Sequence, residues 1–155
     1  MSNPLRSAED YESFLYQLPQ QYPLIRHSTL AFVRRGVSLA RVTGELYFDH
    51  RLRIVVRERL VYERLPALID WYGYEIWQED NKLYWYDPQP HPNEPTLQTT
   101  HPHHKHIPPD IKHNRIPAPG MRFDRPNLPK IIEEVVQIIK NIEVTNSDIE
   151  ADSTY

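Results

Sequence analysis

Apolar and polar residues alternate with a period of two along most of the chain between Ser28 and Tyr86, the spacing of strands with one buried face. Thr29 to Arg34 is short and half apolar, and Gly36 follows as a turn. Val37 to Phe48 places Ala40, Val42, Leu46 and Phe48 on one side, with Gly44 as a bulge or a close approach of backbone. Arg51 to Glu63 has the clearest alternation. Leu52, Ile54, Val56, Leu60 and Tyr62 share one face, and Arg51, Arg53, Arg57 and Arg59 share the other. A slip of one residue would bury the arginines, so the register is strongly specified. Leu65-Pro66 interrupts the pattern, Ile69 to Gln78 is aromatic and β-prone, Glu79 to Lys82 is a polar hairpin turn, and Leu83 to Tyr86 ends the series. Short connections imply antiparallel neighbours, hence a meander of about five strands.

The period changes at both ends of the chain. Ser7 followed by Asp10 has the form of a capped helix start, and Tyr11, Phe14, Leu15 and Leu18 fall on one helical face before Pro19 and Pro23 stop it. Asn127, as a cap, and Pro129, in the first turn, open a second helix. Its apolar face carries Ile131, Ile132, Val135, Val136, Ile138, Ile139 and Ile142, enough to bury it against the sheet. The expected fold class is α+β: an antiparallel sheet flanked by an N-terminal and a C-terminal helix, as a single domain over residues 1–144. Residues 145–155 are polar and acidic and are expected to be a disordered tail.

Between sheet and second helix lies a stretch with neither period. Residues 84–115 hold His91, His101, His103, His104, His106 and His113, together with Pro88, Pro90, Pro92, Pro95, Pro102, Pro108 and Pro109. The prolines exclude a regular helix. Gly and Ser are absent from Tyr84 to Pro119, which argues against a flexible linker and for an ordered loop laid over the sheet.

Composition narrows the chemistry. The chain has 155 residues and no cysteine, which removes disulfides, thiol catalysis and Cys-based zinc sites. The net charge of -3 hides a basic span with Arg34, Arg35, Arg41, Arg51, Arg53, Arg57, Arg59 and Arg64, and an acidic end with Glu143, Asp148, Glu150 and Asp152. A basic face on a near-neutral protein fits an anionic partner, and it fits equally a solvated strand face. No apolar signal core and no run approaching about 18 apolar residues is present, so a soluble, cytoplasmic protein with no membrane partner is expected. Glycine-rich phosphate loops and nucleophile elbows are lacking.

The block from His101 to His106, HPHHKH, is the sharpest constellation. As a metal site it matches neither a helical histidine pair nor a zinc-finger spacing, and an extended segment would let at most two or three imidazoles converge. Glu75 and Asp87 are candidate metal carboxylates, though their spacing does not select that role. As an acid–base site the block suits RNA, because cleavage through the 2′-OH needs a base, an acid and a cation, and imidazoles supply the first two near neutral pH. Alternation would put His104 and His106 on one side and His103 and Lys105 on the other. The bland alternative is a surface loop whose histidines bond backbone and water. Glu58, the odd residue on an apolar face, is expected to meet an arginine or a loop histidine and orient it, unless a bulge turns it outward. The candidate catalytic residues are therefore His91, His103, His104, Lys105, His106 and Glu58. Candidate substrate contacts are Arg53, Arg57, Arg59, Lys112 and Arg115 for phosphate. Tyr74 and Tyr86, with Tyr72, Tyr84 and Trp85, could stack bases or equally be cross-strand core. No metal and no cofactor is expected.

These residues carry a family resemblance. GELYF (Gly44 to Phe48), VVRERL (Val55 to Leu60), YGYEIW (Tyr72 to Trp77), LYWYDPQPHPNEPT (Leu83 to Thr96) and above all the histidine block resemble the TumE-like toxins of prokaryotic toxin–antitoxin systems. Tyr86, Asp87, His91, Pro92, His103, His104, Lys105 and His106 match that family's run. The resemblance implies a small toxin acting on RNA and held inactive by a helix-turn-helix antitoxin. The extra segment from Pro108 to Gly120 resembles that of longer cyanobacterial relatives and opens the role of another substrate or partner. The leading expectation is a metal-independent ribonuclease toxin; the alternative is a non-catalytic RNA- or protein-binding regulatory module, and a metal-dependent hydrolase comes third.

Overall fold

The structure is a computed structural model that describes residues 2–152. Helix α1 (Ala8–Tyr16) begins where Ser7 accepts a hydrogen bond from the Asp10 amide at 3.1 Å. Pro19 does not end the helical run. It sits in the first turn of a second short helix, α2 (Leu18–Gln21), where a missing N–H costs nothing. Among the described residues eight strands follow: β1 (His27–Ser28), β2 (Ala31–Arg35), β3 (Leu39–Tyr47), β4 (Leu52–Val61), β5 (Leu68–Gln78), β6 (Asn81–Asp87), β7 (His104–His106) and β8 (Arg115–Pro117). All pair antiparallel in the order β1-β3-β4-β5-β6-β7-β8, with β2 also on β3. The expected five-strand meander corresponds to β2 through β6. The short strands β1, β7 and β8 are additional, because their two or three residues are too few to show a period.

β1 and β2 pair along the same side of β3, and Thr29 and Leu30 bridge them directly over Gly44. One face of the sheet is the core. Leu52, Ile54, Val56 and Leu60 of β4 pack with Ala40, Val42 and Leu46 of β3 and with Ile69, Tyr72, Tyr74 and Ile76 of β5. Helix α3 (Leu128–Asp152) lays Leu128, Ile131, Ile132, Val135 and Ile139 on that face beside Tyr11 and Leu15 of α1. Asn127 does not cap α3 with its side chain. Its amide bonds the Arg122 backbone on both sides, at 2.8 Å each, and pins the preceding loop. The helix continues through Asp152, so residues 145–152 of the expected tail are helical; residues 153–155 lie outside the described ones.

Glu58 corrects an expectation. It stays on the apolar face, fully inside, and bonds Tyr11 (2.6 Å) and Tyr74 rather than any arginine or histidine. No bulge turns it out, because the irregularity in β4 falls later, between Arg59 and Leu60. Burial pushes its carboxyl up to about 7 from 4.5, against the pull of the two tyrosine hydroxyls. The sign follows. Between pH 4.5 and about 7 the unfolded chain releases this proton while the folded chain keeps it, so stability falls as pH rises. At about 1.4 kcal/mol per unit, the loss is about 3 kcal/mol. Glu58→Gln cannot titrate, and its amide can accept from one tyrosine and donate to the other. Urea midpoints at acid and mildly alkaline pH should show the wild-type decline and a nearly flat variant.

Candidate active site on the open face of the sheet

The face opposite the helices carries the site, and cross-strand register builds it. Val55, Glu75, Trp85, His106 and Arg115 are successive partners across β4, β5, β6, β7 and β8, so all five side chains leave the sheet on the same side. On that face Arg57 stands opposite Gly73, and Asp87 stands opposite His104. Gly73, with no side chain, leaves a hollow. All of these except His104, together with Trp71, Gln89, His91 and Lys112, line a pocket of about 400 Å³.

The loop that brings the histidines here is ordered by its own bonds. A 3₁₀ turn (Pro95–Thr100) ends in Thr100, whose hydroxyl donates to the His103 carbonyl at 2.7 Å and accepts from the Ala118 amide at 3.0 Å. The hairpin between β7 and β8 closes through the Ile107 amide and the Asn114 carbonyl. The segment from Pro108 to Gly120 thus contributes β8 to the sheet, and with it Lys112 and Arg115 to the pocket.

Two ring nitrogens and the two oxygens of one carboxylate meet beside the pocket. His104 Nε2 lies 3.0 Å from Asp87 Oδ1, His106 Nε2 lies 3.1 Å from Asp87 Oδ2, and the two Nε2 atoms are 3.1 Å apart. All three residues are buried. His104 Nδ1 donates to the Pro102 carbonyl at 3.1 Å, which leaves its Nε2 directed at the cluster. The indole of Trp85 stacks flat on His106 at 3.7 Å, and His91 meets His104 edge-on at 4.9 Å. Burial raises the Asp87 carboxyl, but the contacts with His104 and His106 and the hydrogen bond from the Gln89 amide outweigh it and hold the group well below the usual carboxylate range. His91 is held below its ordinary value by partial burial, then by the neighbouring Arg115 and His104. His106 Nδ1 and Arg115 Nε are buried with no hydrogen-bond partner among the described residues.

The expected alternation holds, with a consequence for the candidates. His104 and His106 share the open face, while Lys105 pairs with Tyr86 and Ile116 on the other. There Lys105 approaches Glu134 of α3 at 3.9 Å and lies 4.1 Å over the Tyr84 ring. His103 bonds the Tyr72 hydroxyl at 2.6 Å and packs on Phe123. Tyr86 bonds Glu134 at 2.9 Å, and Tyr74 bonds Glu58. Lys105, His103, Glu58, Tyr74 and Tyr86 therefore lie on the helix-covered side, and none of them lines the pocket. Arg53 and Arg59 do share the open face but are engaged. Arg53 lies by Glu45 and over Trp77, and Arg59 forks onto Asp70 at 2.7 and 3.0 Å. Arg115 pairs with Glu94 at 2.8 Å at the pocket edge. Among the described residues, Arg57 and Lys112 line the pocket without an ion pair.

An acid–base pair of His104 and His106 acting from opposite sides of one phosphate is not the arrangement these two nitrogens form. An acid and a base working across a phosphate stand apart by two hydrogen-bond lengths plus the phosphate itself. These two nitrogens converge on one point. The residue that holds them is Asp87, which takes the orienting role expected of Glu58. Its signal in the sequence is a carboxylate ending β6, two residues after a Trp, but its partner lies nineteen positions on. Trp71, a wall of the pocket, carries no such signal.

No helix among the described residues is long and apolar enough to cross a membrane. No curated protein and no solved structure matches the chain. Residues 15–139 match the sequence model of one protein family, described as Toxin TumE. That span takes in all eight strands, the Asp87, His104 and His106 cluster, and the buried half of α3. The chain belongs to the TumE toxin family.

Proposed function

We propose that this toxin is a ribonuclease that acts in the cytoplasm and is held inactive by a helix-turn-helix antitoxin. Family membership supports the toxin and its antitoxin partner. The observation that carries the activity is one pocket lined both by Arg57 and Lys112, free of ion pairs among the described residues, and by Asp87 and His106 of the cluster, with the Trp85 indole stacked flat on His106. Arg57, Lys112 and Arg115 hold the backbone phosphate, Trp85 and Trp71 offer faces for bases, and the cluster is the reactive centre. His91, on the wall beside His104, is the imidazole placed to move a proton between substrate and solvent.

The test is purified protein with single-stranded RNA. Wild type should cut it, and His106→Ala should lower kcat/KM by about a thousandfold. Arg57→Ala should lower it by about 10- to 100-fold and reduce the salt dependence of RNA binding by about one unit of slope. Intact RNA with wild type across salts and sequences would sink the ribonuclease reading. RNA that is held in a salt-sensitive manner and left uncut would move the conclusion to a binding module.

A further inference from the structure

For neutral imidazoles, hydrogen bonding alone does not satisfy the convergence of Asp87, His104 and His106. His104 Nδ1 gives its hydrogen to the Pro102 carbonyl, so a neutral His104 presents a lone pair at Nε2. That lone pair faces a carboxylate oxygen at 3.0 Å and a second ring nitrogen at 3.1 Å. One hydrogen on His106 Nε2 can serve Asp87 or His104, and the remaining contact stays lone pair against lone pair. The set is buried, so bulk water does not relieve it.

A cation at the common point resolves every contact. Donors about 2.0–2.2 Å from a metal, at tetrahedral or octahedral angles, stand about 3.0–3.5 Å from one another. Here the two Nε2 atoms stand 3.1 Å apart, and each reaches its own oxygen of Asp87, at 3.0 Å from His104 and 3.1 Å from His106. Their donor atoms all fall within 4.8 Å of one another, with one atom offered by each residue. The Pro102 carbonyl on His104 Nδ1 is the outer-shell bond that fixes a ligating imidazole's tautomer and aim. Asp87 is in turn tied by the Gln89 amide at 2.7 Å. With Nε2 of His106 engaged, its hydrogen sits on Nδ1, which is buried without a hydrogen-bond partner among the described residues.

We infer that Asp87, His104 and His106 bind one divalent first-row transition-metal ion, with open coordination positions toward the pocket lined by Arg57 and Lys112. Two imidazoles and one carboxylate, with no thiolate in the chain, select zinc, cobalt, nickel, manganese or iron over calcium or magnesium. The role of the ion rests on the ribonuclease reading: it polarises the RNA phosphate as a Lewis acid at the centre of the site. This replaces the metal-independent expectation drawn from histidine spacing.

The experiment uses the full chain, stripped with chelator and dialysed, and titrated with cobalt(II) and zinc(II) by calorimetry. Cobalt is also followed by its visible absorption, which reports nitrogen and oxygen ligation without any need for activity. Wild type should take up one equivalent. His104→Gln and Asp87→Asn should weaken binding by at least about 100-fold. Lys105→Ala, on the opposite face, should bind as wild type. Thermal melts of each variant separate lost binding from lost fold, and wild-type stoichiometry alone decides the site if a variant unfolds. RNA cleavage is measured separately, with and without chelator. No uptake by folded wild type, or uptake unchanged in both ligand variants, overturns the site. Cleavage undiminished in metal-free protein overturns the ion's Lewis-acid role and leaves the ribonuclease reading. One bound cobalt with RNA left uncut supports the site and overturns the ribonuclease reading.

Discussion

Asp87→Asn should lower RNA cleavage by about a thousandfold or more while leaving the fold intact. Among the described residues, Asp87 alone touches both imidazoles of the reactive centre through separate oxygens. Asparagine keeps one oxygen, and that oxygen can still accept from the Gln89 amide at the loop's first turn. The other position becomes an NH₂, which presents hydrogens to a ring nitrogen and removes the negative charge. Orientation and charge are both lost at the reacting point, and losses of this kind amount to about 4 kcal/mol of barrier. The measurement is kcat/KM on RNA, with near- and far-ultraviolet circular dichroism as the check on structure. The effect should fall on kcat, because the phosphate contacts proposed for Arg57 and Lys112 are untouched. A variant that retains more than about a tenth of wild-type kcat would remove Asp87 from the reactive centre.

Gly44→Ala should be the most damaging single substitution for stability, at about 3 kcal/mol or more. Gly44 has φ +140, a region that side chains rarely adopt. A Cβ there would lie 2.5 Å from the Thr29 carbonyl oxygen, 2.7 Å from its carbon and 2.8 Å from Leu30 Cα. All three are backbone atoms of the bridge between β1 and β2, so no side chain can swing aside. Gly36 is the control. It also has positive φ, at +73, yet among the described residues nothing lies within 4 Å of its added carbon. Gly36→Ala should cost about 1 kcal/mol, the conformational term alone. Urea midpoints of the two variants check both magnitudes. Equal losses would show that the close approach over Gly44 yields more easily than backbone should.

The two faces of β4 are legible in the alternation alone, because it admits one register. Leu52, Ile54, Val56 and Leu60 are inside, and Arg53, Arg57 and Arg59 are on the open side. The two helices are legible for the same reason at a different period. Gly44 is legible as an anomaly, a residue without a side chain in a strand that otherwise packs one. The histidine block is legible as chemistry and, through its alternation, as two opposed pairs. Partners are not legible in this way. A buried carboxylate needs a counterpart, which points Glu58 toward the loop, and the counterparts are instead two tyrosine hydroxyls from α1 and β5. Tyr74 and Tyr86 suit base stacking or a core equally by type, and the core has them because they sit in the row shared with Val56 and Lys105.

Local pattern along the chain dictates which residues lie inside, that the sheet is antiparallel, and that imidazoles and arginines are the chemistry available. These follow from periods of two and 3.6 residues, from short connections and from composition, none of which depends on distant parts of the chain. Tertiary structure alone sets β7 on β6 with Asp87 opposite His104, and β8 beside it with Lys112 and Arg115 at the same pocket. Strand pairing across a long proline-rich connection depends on which register buries and bonds best in three dimensions, and a one-residue shift would have turned Lys105 and His103 toward the pocket instead. The cluster of Asp87, His104 and His106 therefore exists as a register, not as a motif.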